Sequence, residues 1–231
     1  MTNDQKNYAI IVAGGSGTRM GSAIPKQFLL LNGKPVLMHT IEAFHKAQAQ
    51  PHIILVLHAD FHAYWQQLCA DHNFTISHQL IKGGETRFHS VKNGLDSIPD
   101  GADTVIAVQD AVRPLTDKEI IDTSFTYALE HGNAIVAVKS RDSIRQTQNG
   151  HSVSLLRDDI YLIQTPQTFR FEQLKKAYEH GYDAMFTDDA SVVERSGIAI
   201  NLIEGNYKNI KITFPEDIAI AEVILNKKPS A

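Results

Sequence analysis

Four short, nearly unbroken apolar runs mark the chain: YAIIV at 8–12, HIILVL at 52–57, TVIAVQ at 104–109 and AIVAV at 134–138. A run of this length without alternation suits a strand covered on both faces, as in a parallel sheet between two helical layers. Between the runs the period changes. Residues 35–47, 60–72, 86–97 and 117–131 carry apolar positions at helical spacing. In the last of these the stripe is Ile120, Ile121, Phe125, Ala128 and Leu129, with Ser124 on the same face. Thr116 and Glu119 have the spacing of a capping box at its start. A further helix, PEDIAIAEVILN at 215–226, opens on Pro215 and two acids, where the helix dipole favours negative charge. Strands alternating with helices predict an α/β fold: three-layer, Rossmann-like, with a mostly parallel sheet.

The pattern breaks at 139–157. KSRDSIRQTQNGHSVSLLR reads as two polar strands about Asn149–Gly150, a dipeptide that favours a two-residue hairpin turn. Neither strand can bury a face alone, so a projecting β-hairpin arm here needs a partner. The chain shows no internal repeat or low-complexity stretch, and is read as a single domain over 1–231.

The 231 residues suffice for one sizeable core. A net charge of -4 argues against a nucleic-acid-binding surface, so any phosphate site must be made locally by a few placed cations. No apolar run approaches the roughly 20 residues of a membrane helix, and MTNDQKN lacks the basic and apolar regions of a signal peptide. The single cysteine, Cys69, cannot form an internal disulfide and reads as a small core residue, not a nucleophile. These features predict a cytoplasmic protein with no membrane or nucleic-acid partner. The 11 histidines show no metal-ligand spacing with a carboxylate, so no zinc site is expected.

The densest chemistry follows the first strand, in VAGGSGTRMGSAIPKQF at 12–28. Gly14, Gly15 and Gly17 let the backbone approach a ligand and turn its N–H groups inward. Arg19 and Lys26 add fixed positive charge beside that cradle, a combination suited to a nucleoside triphosphate. The loop is not a P-loop, since Lys26 follows Pro25 and no Ser or Thr comes next. Nor is it a dinucleotide fingerprint, since Gly15, Gly17 and Gly21 have the wrong spacing.

Other candidates sit where an open α/β sheet gathers ligands, beyond the carboxyl ends of strands. Asp110 follows TVIAVQ and could hold Mg2+ against phosphate oxygens, or merely cap the next turn. Arg113-Pro114 stiffens that turn. In GGETRFHSV (83–91), Arg87 and Ser90 lie one turn apart, and Arg87 could simply brace the loop. Lys211 in NIKIT would face away from Ile210 and Ile212 on a short strand, the usual position of a solvated lysine. Asp188 in TDDAS is placed to cap a helix.

Taken together, PKQF, GGETRFHSV, QDAVRP, TPQTF, TDDAS and NIKIT resemble the 2-C-methyl-D-erythritol 4-phosphate cytidylyltransferases, over about residues 8 to 225. The resemblance implies a nucleotidyltransferase fold and Mg2+-dependent transfer of CMP from CTP to a polyol phosphate, within non-mevalonate isoprenoid precursor synthesis. It implies a homodimer joined through the arm. It assigns Arg19, Lys26 and Lys211 to catalysis, and Ala13, Gly14, Gly15, Gly17, Gly84, Glu85 and Ser90 to the nucleotide. Asp110, Arg113, Ser143, Arg157, Thr165 and Thr187 fall at acceptor positions, with Asp110 also the metal residue. Gln109 stands where His is frequent, and Ser143 where Thr is common. The AGGSGTRM loop is also that of ribitol-5-phosphate cytidylyltransferases, which leaves ribitol 5-phosphate as the alternative acceptor. From another class, a non-catalytic sugar-nucleotide-binding subunit would be favoured if Lys26, Asp110 or Lys211 were replaced; all three are present.

Overall fold

The computed structural model describes residues 6–13, 24–99 and 104–227. The first run forms β1 (Asn7–Ala13); a minimal hairpin, β2 (Leu30–Leu31) and β3 (Lys34–Pro35), leads into α1 (Val36–His45). Then come β4 (His52–Leu57), α2 (His62–Asp71), β5 (Gln79–Lys82) and α3 (Arg87–Asp96). The second half holds β6 (Val105–Asp110), α4 (Lys118–His131), β7 (Asn133–Lys139), β8 (Arg145–Gln148) and β9 (His151–Ser154). It closes with β10 (Tyr161–Arg170), α5 (Phe171–Tyr178), α6 (Asp189–Arg195), β11 (Leu202–Glu204) and α7 (Glu216–Asn226).

Seven strands make one sheet in the order β11-β7-β10-β6-β1-β4-β5. Every neighbouring pair is parallel except those made by β10, which runs antiparallel to both β6 and β7. Side chains alternate across the sheet. Ala9, Ile11 and Ala13 pack with Leu37, Met38 and Ile41 of α1, Trp65 of α2 and Phe125 of α4. Ile10, Ile54, Val56 and Val108 pack on the other face with Val91 of α3, Leu174 of α5 and Val193 of α6. This two-sided cover explains why the strands read as continuous apolar runs, and it makes the three layers expected from the sequence.

The strand order positions the site. From β1 the chain moves outward to β4 and β5, then returns to place β6 on the opposite side of β1. The reversal opens a crevice beyond the carboxyl ends of β1 and β6, where Val12 pairs with Asp110.

The hairpin forms as expected. Asn149 (φ 49°) and Gly150 (φ 79°) both adopt the left-handed backbone that a tight turn between right-twisting strands demands. β8 and β9 pair only with each other, and every residue of both is exposed.

Two expectations are corrected, and one strand was not read from the sequence. The Thr116–Glu119 capping box does not form: α4 starts at Lys118, and the single Thr116 hydroxyl proton is instead shared between Arg113 O and Asn209 Oδ1, 3.1 and 3.0 Å away. NIKIT is not a strand, although its alternation survives: Ile212 is fully buried and its N–H donates to Val112 O at 2.9 Å. β10 was not anticipated, because Pro166 argues against an interior strand; the proline sits within the register shift between Ile163 and Gln167.

Candidate active site

The centre of the crevice is Asp110, the last residue of β6, whose backbone N–H donates to Thr165 Oγ1 at 3.1 Å. Its carboxylate has three cationic neighbours: Lys211 Nζ at 3.0 Å, Arg113 Nε at 3.3 Å and Arg87 Nε at 3.8 Å. Burial alone would raise the Asp110 pKa. The positive field of Arg87, Lys211 and Arg113 outweighs it and holds the carboxyl well below the usual carboxylate range. Asp189 already balances Arg87 from behind, so at the Asp110 carboxylate Lys211 and Arg113 face one anion, and that local excess of positive charge favours an anionic ligand.

Each cation reaches Asp110 from a different part of the chain. Arg113 follows in the turn after β6 and is further fixed by Nη1 donating to Asn209 O at 2.7 Å. Burial lowers its pKa, an effect that the adjacent Asp110 counters. Lys211 hangs from the extended segment held by Ile212. Arg87 starts α3, and its Nη1 and Nη2 donate to the two carboxylate oxygens of Asp189 at 2.9 and 2.6 Å.

The GGETR loop depends on close packing. A Cβ on Gly84 would lie 2.4 Å from His89 Cβ, so only glycine fits without displacing the loop. Gly84 N–H donates to Ser90 Oγ, which in turn donates to Thr86 O at 2.9 Å. Ser90 is 1% exposed and turns its hydroxyl to the loop itself, whereas Glu85 is exposed. On the other side of the crevice, Lys26 begins a short 3₁₀ turn, Lys26–Phe28. Gln27 ties that turn to the end of β1 by donating to Ala13 O at 3.1 Å, and Phe28 is buried. The PKQF motif thus docks Lys26 beside the strand that carries the glycine loop.

Two cavities meet here. One, of about 560 Å³, is lined among the described residues by Ala13, Lys26, His58, Gly84, Glu85 and their neighbours. The second, of about 270 Å³, is lined by Arg113, Gln164, Thr165, Thr187 and Asp188 among others. Arg87, Asp110 and Lys211 line both, and so form a shared wall.

The structure therefore brings together Ala13, Lys26, Gly84, Glu85, Asp110, Arg113, Thr165, Thr187 and Lys211. Ser143 and Arg157 are exposed near the arm and line neither cavity; Arg157 Nε lies 3.8 Å from Asp158. Gly14, Gly15, Gly17 and Arg19 lie outside the described residues. Sequence reasoning missed two contributors. Asn209 is fully buried and donates to Thr165 O at 2.9 Å while accepting from Thr116, so it links the Lys211 segment to β10. Asp189 is fully buried behind Arg87. Asp189 shares a helical face with Val192 and Val193, which was the one available signal for it; Asn209, between Lys208 and Ile210, carried none. Gln109, the substitute for His, is fully buried and donates to Thr116 Oγ1 at 3.0 Å, so it braces the same network.

A metal at Asp110 would have to be completed by substrate. No group of three His, Cys, Asp or Glu side chains could hold an ion among the described residues. Asp110 opens on cavities large enough for phosphates, but Lys211, Arg113 and Arg87 already surround its carboxylate, so Mg2+ there would rest mainly on substrate phosphate oxygens, as it does where one carboxylate is its only protein ligand.

Two cavities sharing one charged wall at the reversal point of a mostly parallel sheet suit a reaction between two phosphorylated substrates, and this fold is that of a nucleotidyltransferase. A profile of the family 2-C-methyl-D-erythritol 4-phosphate cytidylyltransferase (IspD) matches residues 8–227. The chain belongs to that family. It is 47% identical to the enzyme of that name from Bacteroides thetaiotaomicron over 220 residues, covering 95% of this chain and 100% of the relative. With that of Porphyromonas gingivalis W83 it shares 47% over 226 residues, covering 96% and 99%. Among solved structures, the 4-diphosphocytidyl-2C-methyl-D-erythritol synthase of Anaerococcus prevotii superposes with a TM-score of 0.83 at 27% identity, over 96% of this chain and 97% of that one. The Francisella tularensis 2-C-methyl-D-erythritol 4-phosphate cytidylyltransferase gives 0.77 at 34% identity, over 94% and 99%. Among the described residues, no helix is long and apolar enough to cross a membrane.

Proposed function

We infer that the protein transfers CMP from CTP to 2-C-methyl-D-erythritol 4-phosphate, forming 4-diphosphocytidyl-2-C-methyl-D-erythritol and releasing pyrophosphate. The observation that carries this reading is the wall of Arg87, Asp110 and Lys211 shared by the two cavities. The larger cavity is the nucleotide site and the smaller one the acceptor site.

An oxygen of the acceptor phosphate attacks the α-phosphorus in line, and the bond to the pyrophosphate oxygen breaks. The nucleophile is already ionised, so no general base is needed. The work of the protein is positioning and charge stabilisation. Lys26 and Arg19 bind the triphosphate and the charge that grows on the leaving group. The GGETR loop offers Gly84 and Glu85 backbone groups to the base, with Ser90 supporting the loop from behind. Thr165, Thr187 and Arg113 hold the acceptor, and Lys211 meets its phosphate at the shared wall. Mg2+, when bound at Asp110, supplies Lewis-acid neutralisation of phosphate oxygens. The exposed arm, which cannot bury a face alone, supports a homodimer in which Ser143 and Arg157 complete the acceptor site of the second subunit. The single cysteine is consistent with a cytoplasmic setting.

The test is pyrophosphate release across the four nucleoside triphosphates, each paired with 2-C-methyl-D-erythritol 4-phosphate and with ribitol 5-phosphate. Release confined to CTP with the methylerythritol acceptor is expected. Equal or faster release with ribitol 5-phosphate overturns the acceptor assignment.

A further inference from the structure

Arg87 differs from Lys211, the other cation of the shared wall, in being aimed from behind. Both terminal nitrogens face the carboxylate of Asp189 in a fork-to-fork pair at 2.9 and 2.6 Å, a geometry that fixes the plane of the guanidinium as well as its position. Asp189 is itself fixed. It is fully buried, and the Tyr178 hydroxyl donates to its Oδ1 at 2.6 Å. The Tyr178 ring stacks on Phe88, the residue after Arg87, with centroids 4.5 Å apart and planes at 16°. The next residue back, Asp188, caps α6 through Ser191 and accepts from Gln167 Nε2 at 2.9 Å. The clamp therefore joins α3, α5 and α6 to β10. The Arg87 side chain nevertheless remains 30% exposed and borders both cavities.

A buried ion pair adds little net stability over apolar packing of the same volume, because desolvation offsets the attraction. What Asp189 adds here is direction. We propose that Asp189 and Tyr178 are positioning residues that aim Arg87 at the boundary of the two cavities, where its remaining N–H groups bind the acceptor phosphate as it approaches the α-phosphorus. The proposal rests on the larger cavity being the nucleotide site and the smaller one the acceptor site.

The test compares steady-state kinetics of Arg87→Lys, Asp189→Asn and Tyr178→Phe with wild type, alongside Lys26→Ala. Arg87→Lys keeps the charge but loses the planar fork. It is expected to lower kcat/KM for the acceptor by about 100-fold, with at least about tenfold of that from a raised acceptor KM, while KM for CTP stays within about twofold. Asp189→Asn and Tyr178→Phe should shift the same parameter in the same direction, by about tenfold or less, with Tyr178→Phe retaining the wild-type fold as read by circular dichroism. A purely structural clamp would lower Tm and active fraction but leave both KM values unchanged, and that outcome overturns the proposal. So does wild-type acceptor kcat/KM in Arg87→Lys. If that happens while Lys26→Ala loses turnover, only the role of Arg87 fails; if Lys26→Ala is also unimpaired, the assignment of the cavities fails with it.

Discussion

Lys211 Nζ lies 3.0 Å from Asp110 Oδ2, although one residue ends a central strand and the other belongs to the segment before the last helix. With Arg113 and Arg87 also beside it, Asp110 gathers the cations of the crevice before any substrate arrives. Such preorganised charge needs no rearrangement when negative charge builds on a reacting phosphate, and this is the main source of electrostatic catalysis. It also makes Asp110 a structural keystone.

The first prediction concerns pH. The folded Asp110 pKa is depressed, so its stabilisation is fully present above the unfolded value of about 3.9 and is lost as pH falls toward the folded value. Urea unfolding of wild type and Asp110→Asn should show a stability gap that is constant above about pH 5 and narrows below about pH 4. A gap independent of pH would mean that the carboxylate gains nothing from its three cations.

Lys26→Ala should reduce kcat by about 10²–10³, the usual consequence of removing one preorganised charge from a developing oxyanion. The Phe28 anchor and the Gln27 hydrogen bond to Ala13 remain, so the 3₁₀ turn and the melting temperature should hold. Near-native turnover would remove Lys26 from the chemistry.

Gly84→Ala introduces a Cβ where His89 Cβ would be 2.4 Å away, and the contact is with the rigid start of α3. The loop must shift, and a displacement of about 1 Å can cost about 100-fold in rate. A raised KM for CTP with little change in acceptor KM is expected, measured by the same pyrophosphate assay. An unchanged KM for CTP would place the base elsewhere.

The arm can be excised cleanly, because Leu155 N–H donates to Ile144 O at 3.0 Å and brings its two ends together. Replacing 145–154 with a two-glycine link should leave the core folded but give a monomer by light scattering, with acceptor kcat/KM reduced about 100-fold through loss of Arg157 and Ser143 from the partner. Persistence of a dimer, or a fully active monomer, would end the shared-site reading.

Much of the scaffold was legible in the chain. The strands at 8–12, 52–57, 104–109 and 134–138 appear within a residue or two, because two-sided burial leaves no room for polar positions. α1 to α4 were visible by period and α7 by Pro215 and its two acids, whereas α5 was not read; Asn149–Gly150 pointed to the hairpin because only certain residues take two successive left-handed conformations. β10 was missed because Pro166 masks it; the bulge that accommodates the proline is a property of its neighbours. The Thr116 cap failed because a buried network of Gln109, Arg113 and Asn209 engages that hydroxyl. Asp188 did cap its helix, since Ser191 is in local reach and nothing distant claims it.

The sequence by itself determined what is local: apolar runs that must be covered, turns that need special backbone, and the residue types a phosphate reaction requires. Only the tertiary structure decided that Lys211 meets Asp110, that Asp189 stands behind Arg87, and that two cavities share a wall. Those relations join residues on different elements, and their strength depends on separation and burial, which periodicity along one chain does not encode.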